Sequence, residues 1–174
     1  MIKVISGIYK NRKLKYFNYS NIRPTQSRVK KSMFDSLYEI NNNLVLDLFS
    51  GVGSLGIEAY SRGANSVTFV DNNLKAINIL KKNLELLSLF EKSSIINKDV
   101  LSFLNKNNKK YDLILADPPY NKFSFYDIMP LVKNSLNKNG IFCYETSKKE
   151  IILDFDVKIK KIGDTQLIFW RNYE

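Results

Sequence analysis

Asp117, Pro118, Pro119 and Tyr120 follow one another directly after the apolar segment 112–116. Proline has no N–H and fixes its own φ, so the two prolines make the backbone rigid and leave their carbonyl groups free to accept hydrogen bonds. The aspartate adds a carboxylate acceptor, and the tyrosine offers a flat face on which a planar ring can stack. Taken alone, these residues also fit a stiff loop that leaves a strand. As a site, they suit an aromatic amine such as the exocyclic amino group of a nucleobase.

A second pattern lies upstream, where the apolar segment 44–49 precedes a glycine-rich turn and a helical stretch. The turn, Gly51-Val-Gly-Ser-Leu-Gly56, has the G-x-G-x-x-G spacing that permits a tight turn and close approach of a ligand to a helix N-terminus. The next apolar segment, 66–70, leads into Asp71, twenty positions after the first glycine. A carboxylate at this spacing can accept hydrogen bonds from both hydroxyl groups of a ribose. The pattern predicts a nucleoside-containing cofactor.

NAD and S-adenosylmethionine both fit this half-site. A dinucleotide needs a second mononucleotide-binding half, but the chain has 174 residues and no second glycine fingerprint. Segment 117–120 suits an amine rather than a hydride acceptor. Asp47, inside the first apolar segment, can orient the loop or receive the ammonium group of a methionine moiety. These arguments favour S-adenosylmethionine.

Hydrophobic periodicity gives the elements that position these residues. An N-terminal ribbon over about 2–17 leads through a loop to a helix near 26–40, and strands then alternate with helices. The strands are predicted at 44–49, 66–70, 94–97, 112–116 and 141–145, and the helices at 54–62, 73–88, 100–106 and 124–137. This alternation predicts an α/β fold with a parallel sheet and helices on both faces. Segments 157–162 and 166–171 flank the turn Gly163-Asp164 and predict a hairpin.

The sequence predicts one domain over 1–174. In it, residues 1–40 form the basic N-terminal ribbon and helix, and residues 41–174 form the cofactor-binding core. In such a sheet the ligand lies at the carboxyl ends of the strands, where the strand order reverses. Asp99, after the strand 94–97, is at such an end and is expected near an adenine amino group. A helix N-cap is the alternative role for this side chain.

The residue types that this chain lacks exclude several kinds of catalytic and metal site. The chain has no histidine, which excludes His-based triads and imidazole metal sites, and its one cysteine, Cys143, excludes an internal disulfide and a Cys-rich zinc site. We therefore expect no metal. No N-terminal signal region and no apolar run of membrane-spanning length is present, so we expect a cytoplasmic protein without membrane contact. Separately, we expect a monomer.

Four motifs together resemble the Rossmann-like, S-adenosylmethionine-dependent amino-methyltransferases: Asp47-Leu-Phe-Ser-Gly-Val-Gly53, Asp71, Asp99 and Asp117-Pro-Pro-Tyr120. The N-terminal signature is similar to that of the bacterial 16S ribosomal RNA guanine-N2 methyltransferases, and it comprises Ser6-Gly7, Arg12-Lys-Leu14, Arg23-Pro-Thr25 and Arg28. Segments 51–59 and 61–64 share this similarity, which spans essentially the whole chain. The resemblance implies a Rossmann-like class I methyltransferase fold, whose mostly parallel seven-stranded sheet has an antiparallel last strand. It also implies transfer of one methyl group to a guanine amino group near the ribosomal P site.

The resemblance also implies roles for individual residues. The catalytic residues would be Asp117, Pro118, Pro119 and Tyr120, and the cofactor-binding residues Asp47, Phe49, Gly51, Gly53, Asp71, Asn72, Asp99 and Val100. The Asp117 carboxylate and the Pro118 carbonyl would hold the two N–H groups of the amine, and Tyr120 would fix the ring. The target base must be unpaired or flipped out. The same residues also fit adenine-N6 methylation of DNA or RNA, and a non-catalytic RNA-binding assembly factor could retain this fold.

The charge distribution agrees with a nucleic-acid partner, here 16S ribosomal RNA or the small ribosomal subunit. Lys and Arg number 27 against 17 Asp and Glu, and residues 1–31 contain nine basic side chains and no acidic one. Phosphate contacts from such a cluster supply affinity without sequence information. The candidate RNA-binding residues are Lys10, Arg12, Lys13, Arg23, Thr25 and Arg28. Among the interleaved aromatic residues, Tyr9, Tyr16, Phe17 and Tyr19, each can stack on an unpaired base or belong to the core.

Overall fold

Nine strands are present in the computed structural model, which describes residues 1–16, 25–37, 39–119, 122–147 and 151–174. Numbered in chain order, they are β1 (Ile2–Lys3), β2 (Lys13–Leu14), β3 (Leu44–Leu48), β4 (Ser66–Asp71), β5 (Ser93–Asn97), β6 (Tyr111–Ala116), β7 (Leu136–Thr146), β8 (Val157–Ile162) and β9 (Thr165–Arg171). β1 and β2 form an antiparallel ribbon, and the others form one sheet in the order β5-β4-β3-β6-β7-β9-β8. β3 to β7 are parallel, whereas β9 runs antiparallel to β7 and β8. The predicted fold class is confirmed.

Five α-helices lie in the described residues: α1 (Thr25–Ser36), α2 (Ser54–Ser61), α3 (Leu74–Leu86), α4 (Val100–Leu104) and α5 (Phe125–Lys133). Side chains cap three of them. The Asn73 side chain accepts from two backbone N–H groups at the start of α3, and Ser124 and Asp127 form a reciprocal capping box at the start of α5. These local signals fix where the helices begin. No helix in the described ranges is long and apolar enough to cross a membrane.

Helix ends differ from the prediction in two places. α1 ends at Ser36 rather than near residue 40, and α5 ends at Lys133, so that β7 begins at Leu136 where a helix was predicted up to 137. At the second place, the backbone pairs with β6, because Leu136 is in register with Tyr111, and the Asn137 Nδ2 donates to Asp112 Oδ1 at 2.7 Å. Tertiary pairing therefore determines this boundary, which the spacing of apolar residues could not show.

Each face of the sheet covers its own apolar core, because side chains alternate along every strand. On one face, Leu46 and Leu48 of β3 pack with α4 and α5 residues such as Phe125. On the other, Val45 packs with residues of α1, α2 and α3, including Met33. Asp47 alternates with Leu46 and Leu48 and therefore lies on this second face.

Buried polar groups hold the ribbon and α1 against α2. The carboxylate of Glu58 has no exposed surface; it accepts from the backbone N–H groups of Ile5 and Ser6 at 2.8 and 3.0 Å and from Arg62 Nε at 2.9 Å. Lys30 pairs with the same carboxylate at 3.5 Å and is only 6% exposed. One of the nine basic residues of segment 1–31 thus belongs to the interior and is not part of an RNA-binding surface.

The ribbon also reaches the glycine turn. The amide of Asn83, fully buried on α3, accepts from the Lys15 N–H at 2.8 Å and donates to the Lys15 and Val52 carbonyl oxygens at 3.0 Å each. One side chain therefore fixes both the end of the ribbon and the loop that follows β3.

Candidate functional site

A cavity of about 450 Å³ opens at the carboxyl ends of the central strands. β3 has β4 on one side and β6 on the other, so the strand order reverses here, as expected for a ligand site in an α/β sheet. Eight predicted residues line the cavity: Phe49, Gly51, Asp71, Asn72, Asp99, Val100, Asp117 and Pro119. The structure thus brings the glycine turn and the Asp-Pro-Pro segment to one cavity, as the sequence predicts.

The glycines of the turn have different tasks. Gly51 lines the cavity with φ +53°, and its N–H donates to Asp71 Oδ2 at 2.8 Å. Gly53 is not on the cavity wall; it adopts φ +88°, and a Cβ at this position would lie 2.4 Å from Leu80 Cδ1. Gly56 lies close to the Phe69 ring, where a Cβ would be 2.3 Å from Cε1. Gly51 alone of the three lines the cavity, and the other two permit the turn and its packing.

Asp71 is held rigidly on the cavity wall. Its Oδ2 accepts from Gly51 and its Oδ1 accepts from the Asn73 N–H at 2.7 Å. A carboxylate has about four acceptor positions, so both oxygens can still accept from ribose hydroxyl groups. The backbone bonds therefore orient the carboxylate without using its full capacity.

Asp99 is both a helix N-cap and a residue of the cavity wall. It caps α4, where its Oδ1 accepts from the Ser102 N–H at 2.9 Å, and it also lines the cavity. Val100, 2% exposed, lies beside it. The N-cap interpretation is confirmed, and a contact with adenine stays a prediction.

Asp47 lies beneath the cavity and not on its wall. It is 1% exposed; its Oδ2 accepts from the Gly56 N–H at 2.8 Å, whereas Oδ1 is buried without a hydrogen-bond partner in the described residues. Two roles were predicted for Asp47, and the hydrogen bond with Gly56 corresponds to the first of them, which is to orient the loop. The pKa of Asp47 is raised to about 8, chiefly by burial; the hydrogen bond from the Gly56 N–H acts against this shift, and the nearby charges of Asp117 and Asp71 act with it.

Asp47→Asn should flatten the dependence of stability on pH. An unfolded aspartate loses its proton above a pH of about 4, whereas folded Asp47 keeps it up to about pH 8. The folded state binds the extra proton in this window, so this group lowers the free energy of unfolding by about 1.4 kcal/mol per unit of rising pH. Urea titrations between about pH 5 and pH 8 should show that the variant has lost this contribution to the slope.

The exposed Asp164 supplies the control, since Asp164→Asn should leave the slope unchanged. An Asp47→Asn variant with the wild-type slope would contradict the neutral, buried state of this carboxyl group.

The Asp-Pro-Pro segment forms the opposite wall. Asp117 is half-buried and makes no hydrogen bond or ion pair within the described residues, and burial raises its pKa to about 6. Pro118 is buried behind Pro119, whose carbonyl accepts from the Lys122 N–H at 3.3 Å. Tyr120 lies outside the described residues.

Five further residues line the cavity that the motifs did not identify: Val52, Asn73, Ala76, Lys122 and Phe123. Four of them lie within three positions of a predicted residue, so widening the motifs by three positions would have found these four. Ala76 lies one helical turn into α3 and had no such signal. The Phe123 ring packs on Phe49 with centroids 4.9 Å apart, which joins the two walls.

The basic residues of the ribbon lie apart from the cavity. Lys10, Arg12 and Lys13 are exposed, and the first two contact a depression that includes Leu86 and Ser88 at the end of α3. The cavity contacts the other end of this helix, which is about 20 Å long for its 13 residues. A ligand that bridges both places must therefore be extended.

The remaining predicted RNA-binding residues are in or before α1. Arg28 is exposed and forms no ion pair within the described part of the chain. Thr25 begins α1, and Arg23, Phe17 and Tyr19 lie outside the described residues. Tyr9 packs partly against the core, as one of its two interpretations predicts. Among the described residues, no three His, Cys, Asp or Glu side chains are grouped so that they could hold a metal ion.

The family model described as Conserved hypothetical protein 95 matches residues 2–171. The chain belongs to this family. Its relatives include the ribosomal RNA small subunit methyltransferase D of Haemophilus influenzae, which is 35% identical over 99% of this chain and 93% of the relative. A protein of the same name from Buchnera aphidicola is 37% identical over 87% of this chain and 81% of the relative. The resemblance to ribosomal RNA methyltransferases is confirmed.

Solved structures similar to this Conserved hypothetical protein 95 member have the same fold. Methyltransferase yhhF from Escherichia coli superposes with a TM-score of 0.87 at 25% identity, covering 99% of both chains. A T. thermophilus 16S ribosomal RNA N2 methyltransferase, solved with AdoMet and guanosine, has a TM-score of 0.68 at 21% identity over 90% of this chain and 45% of its own. The second likeness concerns the fold alone.

Proposed function

We propose that this protein transfers a methyl group from S-adenosylmethionine to the exocyclic N2 amino group of a guanine in small-subunit (16S) ribosomal RNA. The observation that carries the proposal is the position of the Asp117 carboxylate on the wall of the cavity that Gly51 and Asp71 also line. An acceptor for an amine thus lies beside a nucleoside-binding half-site. The relatives named ribosomal RNA small subunit methyltransferase D support the substrate. Such a substrate places the protein in the cytoplasm.

The lining residues fit S-adenosylmethionine. The cavity volume is within the range of about 300–1,000 Å³ typical of small-molecule sites. Phe49 and Val100 give apolar walls for adenine, the Asp71 carboxylate would accept from the ribose hydroxyl groups, and Asp99 would accept from the adenine amino group. When bound, the cofactor supplies an electrophilic methyl group on a sulfonium.

Asp117 would position the amine and take its proton. The N2 lone pair of guanine is delocalised into the ring, so the nitrogen is a poor nucleophile. The Asp117 carboxylate and the Pro118 carbonyl would each accept one of its N–H groups and so align the nitrogen, with Tyr120 against the ring. With a pKa of about 6, an Asp117 oxygen can also accept the proton that the amine releases.

Replacing Lys10, Arg12 and Lys13 together by alanine should weaken RNA binding without affecting the chemistry. We expect the KM for RNA to rise about tenfold and its salt dependence to become shallower, because each lost phosphate contact removes about 0.7–0.9 from the slope of log K against log salt. The kcat and the Kd for the cofactor should stay unchanged, since the three residues lie outside the cavity. Steady-state kinetics over a salt series measures all of these.

Lys106, Lys109 and Lys110, exposed in the loop before β6, supply a control set with the same change in charge. If their triple alanine variant raises KM as much as the ribbon variant does, the ribbon has no special part in RNA binding.

Transfer of labelled methyl from S-adenosylmethionine to unmodified small subunits and to naked 16S RNA tests the function, with nucleoside analysis by mass spectrometry. N2-methylguanosine at one site is the expected product. N6-methyladenosine, or cofactor binding without incorporation into either RNA, would contradict the proposal. The better of the two substrates shows whether the enzyme acts before or after subunit assembly.

A further inference from the structure

Glu145 is a buried acid for which neither motif accounts. It is 8% exposed and lies one position before the end of β7. β6 and β7 are parallel, and Ala116 is in register with Tyr144, so Asp117 and Glu145 are the next residues along the two neighbouring chains. Parallel strands lie about 4.8 Å apart, and residues in register direct their side chains to the same face. The two carboxyl groups are therefore neighbours, and of the two Asp117 lines the cavity whereas Glu145 lies off its wall.

The surroundings of Glu145 give it no other partner. In the described ranges its carboxyl group makes no hydrogen bond or ion pair, and the antiparallel strand β9 places the apolar Leu167 opposite it. Among the described residues, the ionisable groups that interact with it are Asp117, directly after β6, and the buried thiol of Cys143 on β7. Asp47 on β3 interacts in turn with Asp117. Among the described residues, no cation forms an ion pair with this buried acid.

Such an acid is neutral at physiological pH. Burial raises the pKa of Glu145 to about 9, and the charge of Asp117 acts in the same direction. Burial raises the pKa of Asp117 less, to about 6. Two like charges this close disfavour double ionisation, so the two neighbours share one proton, and the more deeply buried Glu145 holds it in preference to the half-buried Asp117.

We propose that Glu145 is a positioning residue for methyl transfer, which donates its O–H to the Asp117 carboxylate and orients that carboxylate toward the amine when the base is bound. This inference rests on the proposed function of Asp117. A neutral carboxyl group suits the task because it adds a donor without a second negative charge. The other acceptor positions of Asp117 remain available for the N–H of the base.

Glutamine and leucine separate this role from a merely structural one, since both are uncharged and similar in size, but only glutamine has an N–H donor. We expect Glu145→Gln to keep kcat within about threefold of wild type and Glu145→Leu to lower kcat about 10–100-fold, the usual effect of removing an orienting partner. The KM for RNA and the Kd for the cofactor should change little in either variant.

The pH profile supplies a second readout. A donor to Asp117 stabilises its ionised form, so loss of the donor raises the pKa of Asp117. The acidic limb of kcat should therefore move to higher pH in Glu145→Leu and stay in place in Glu145→Gln. Because every variant acts on the same RNA, titration of the RNA cancels in the comparison.

Wild-type kcat in Glu145→Leu, or a kcat in Glu145→Gln as low as in the leucine variant, overturns the inference. Melting temperature and cofactor Kd verify folding, and Glu145→Met replaces the leucine variant if that one does not fold. Asp117→Ala, measured in parallel, separates the two claims. If Asp117→Ala is inactive while Glu145→Leu is normal, only the inference on Glu145 fails; if Asp117→Ala is active, the proposed function itself fails.

Discussion

Asp117→Ala is expected to abolish methyl transfer, a fall in kcat of at least about 10³-fold, while the Kd for S-adenosylmethionine changes less than about twofold. The carboxylate is the acceptor that would hold the reacting amine, so its loss removes both alignment and a proton acceptor. It makes no hydrogen bond within the described residues, and burial raises its pKa. Alanine should therefore leave the fold intact, and the loss of activity then reports on the chemistry alone.

Single-turnover transfer to small-subunit RNA and calorimetric titration with the cofactor measure the two quantities separately. Asp117→Asn keeps one acceptor and should retain part of the activity, and the exposed turn residue Asp164, replaced by alanine, is the control. Turnover like that of the wild type in Asp117→Ala would refute the mechanism. Weak cofactor binding in this variant would instead place Asp117 in the cofactor site.

Asp71→Ala should raise the Kd for the cofactor at least about 100-fold, since a hydrogen bond to a charged group contributes about 1.5–3 kcal/mol and two hydroxyl groups are expected to bind here. The structure adds a second cause, because the same carboxylate holds the Gly51 and Asn73 N–H groups. At saturating cofactor the kcat should recover most of its wild-type value. Calorimetry gives the Kd, and kinetics at two cofactor concentrations gives the recovery.

Asp71→Asn helps to separate the two causes, because its side-chain oxygen can keep one backbone bond while the carboxylate charge is lost. Glu85 is an exposed acid near the end of α3 that does not line the cavity. Its alanine variant is the control and should bind the cofactor normally. An unchanged Kd in Asp71→Ala would exclude Asp71 from ribose binding.

The cavity could be predicted from sequence because the fold places strand ends together. Gly51, Asp71, Asp99 and Asp117 each follow an apolar strand, and parallel strands bring their carboxyl ends to one edge. Glu145 obeys the same rule, since it lies at the end of the predicted strand 141–145, but no motif drew attention to it. Which residues of neighbouring strands lie side by side depends on the register of the strands, and only the folded structure shows that register.

Other assignments depended on contacts between residues far apart in the chain. Asp47 lies in a recognisable motif, yet its burial beneath the cavity follows from its bond with Gly56 and the packing of α2 on the sheet. The start of β7 at Leu136 follows from pairing with Tyr111. Local apolar spacing contains no information on such partners, so neither feature could be predicted.

The sequence by itself determined the order of elements, the glycine turn and the acids at the strand ends, because these depend on local periodicity and backbone conformation. The tertiary structure decided which of these polar groups meet a ligand and which are internal. Lys10 and Lys30 look alike in a basic segment, but Lys30 is buried against Glu58, 28 positions further along the chain, whereas Lys10 is exposed. Burial beside a distant partner sets the charge state and the accessibility of a side chain, and that partner is known only when the chain has folded.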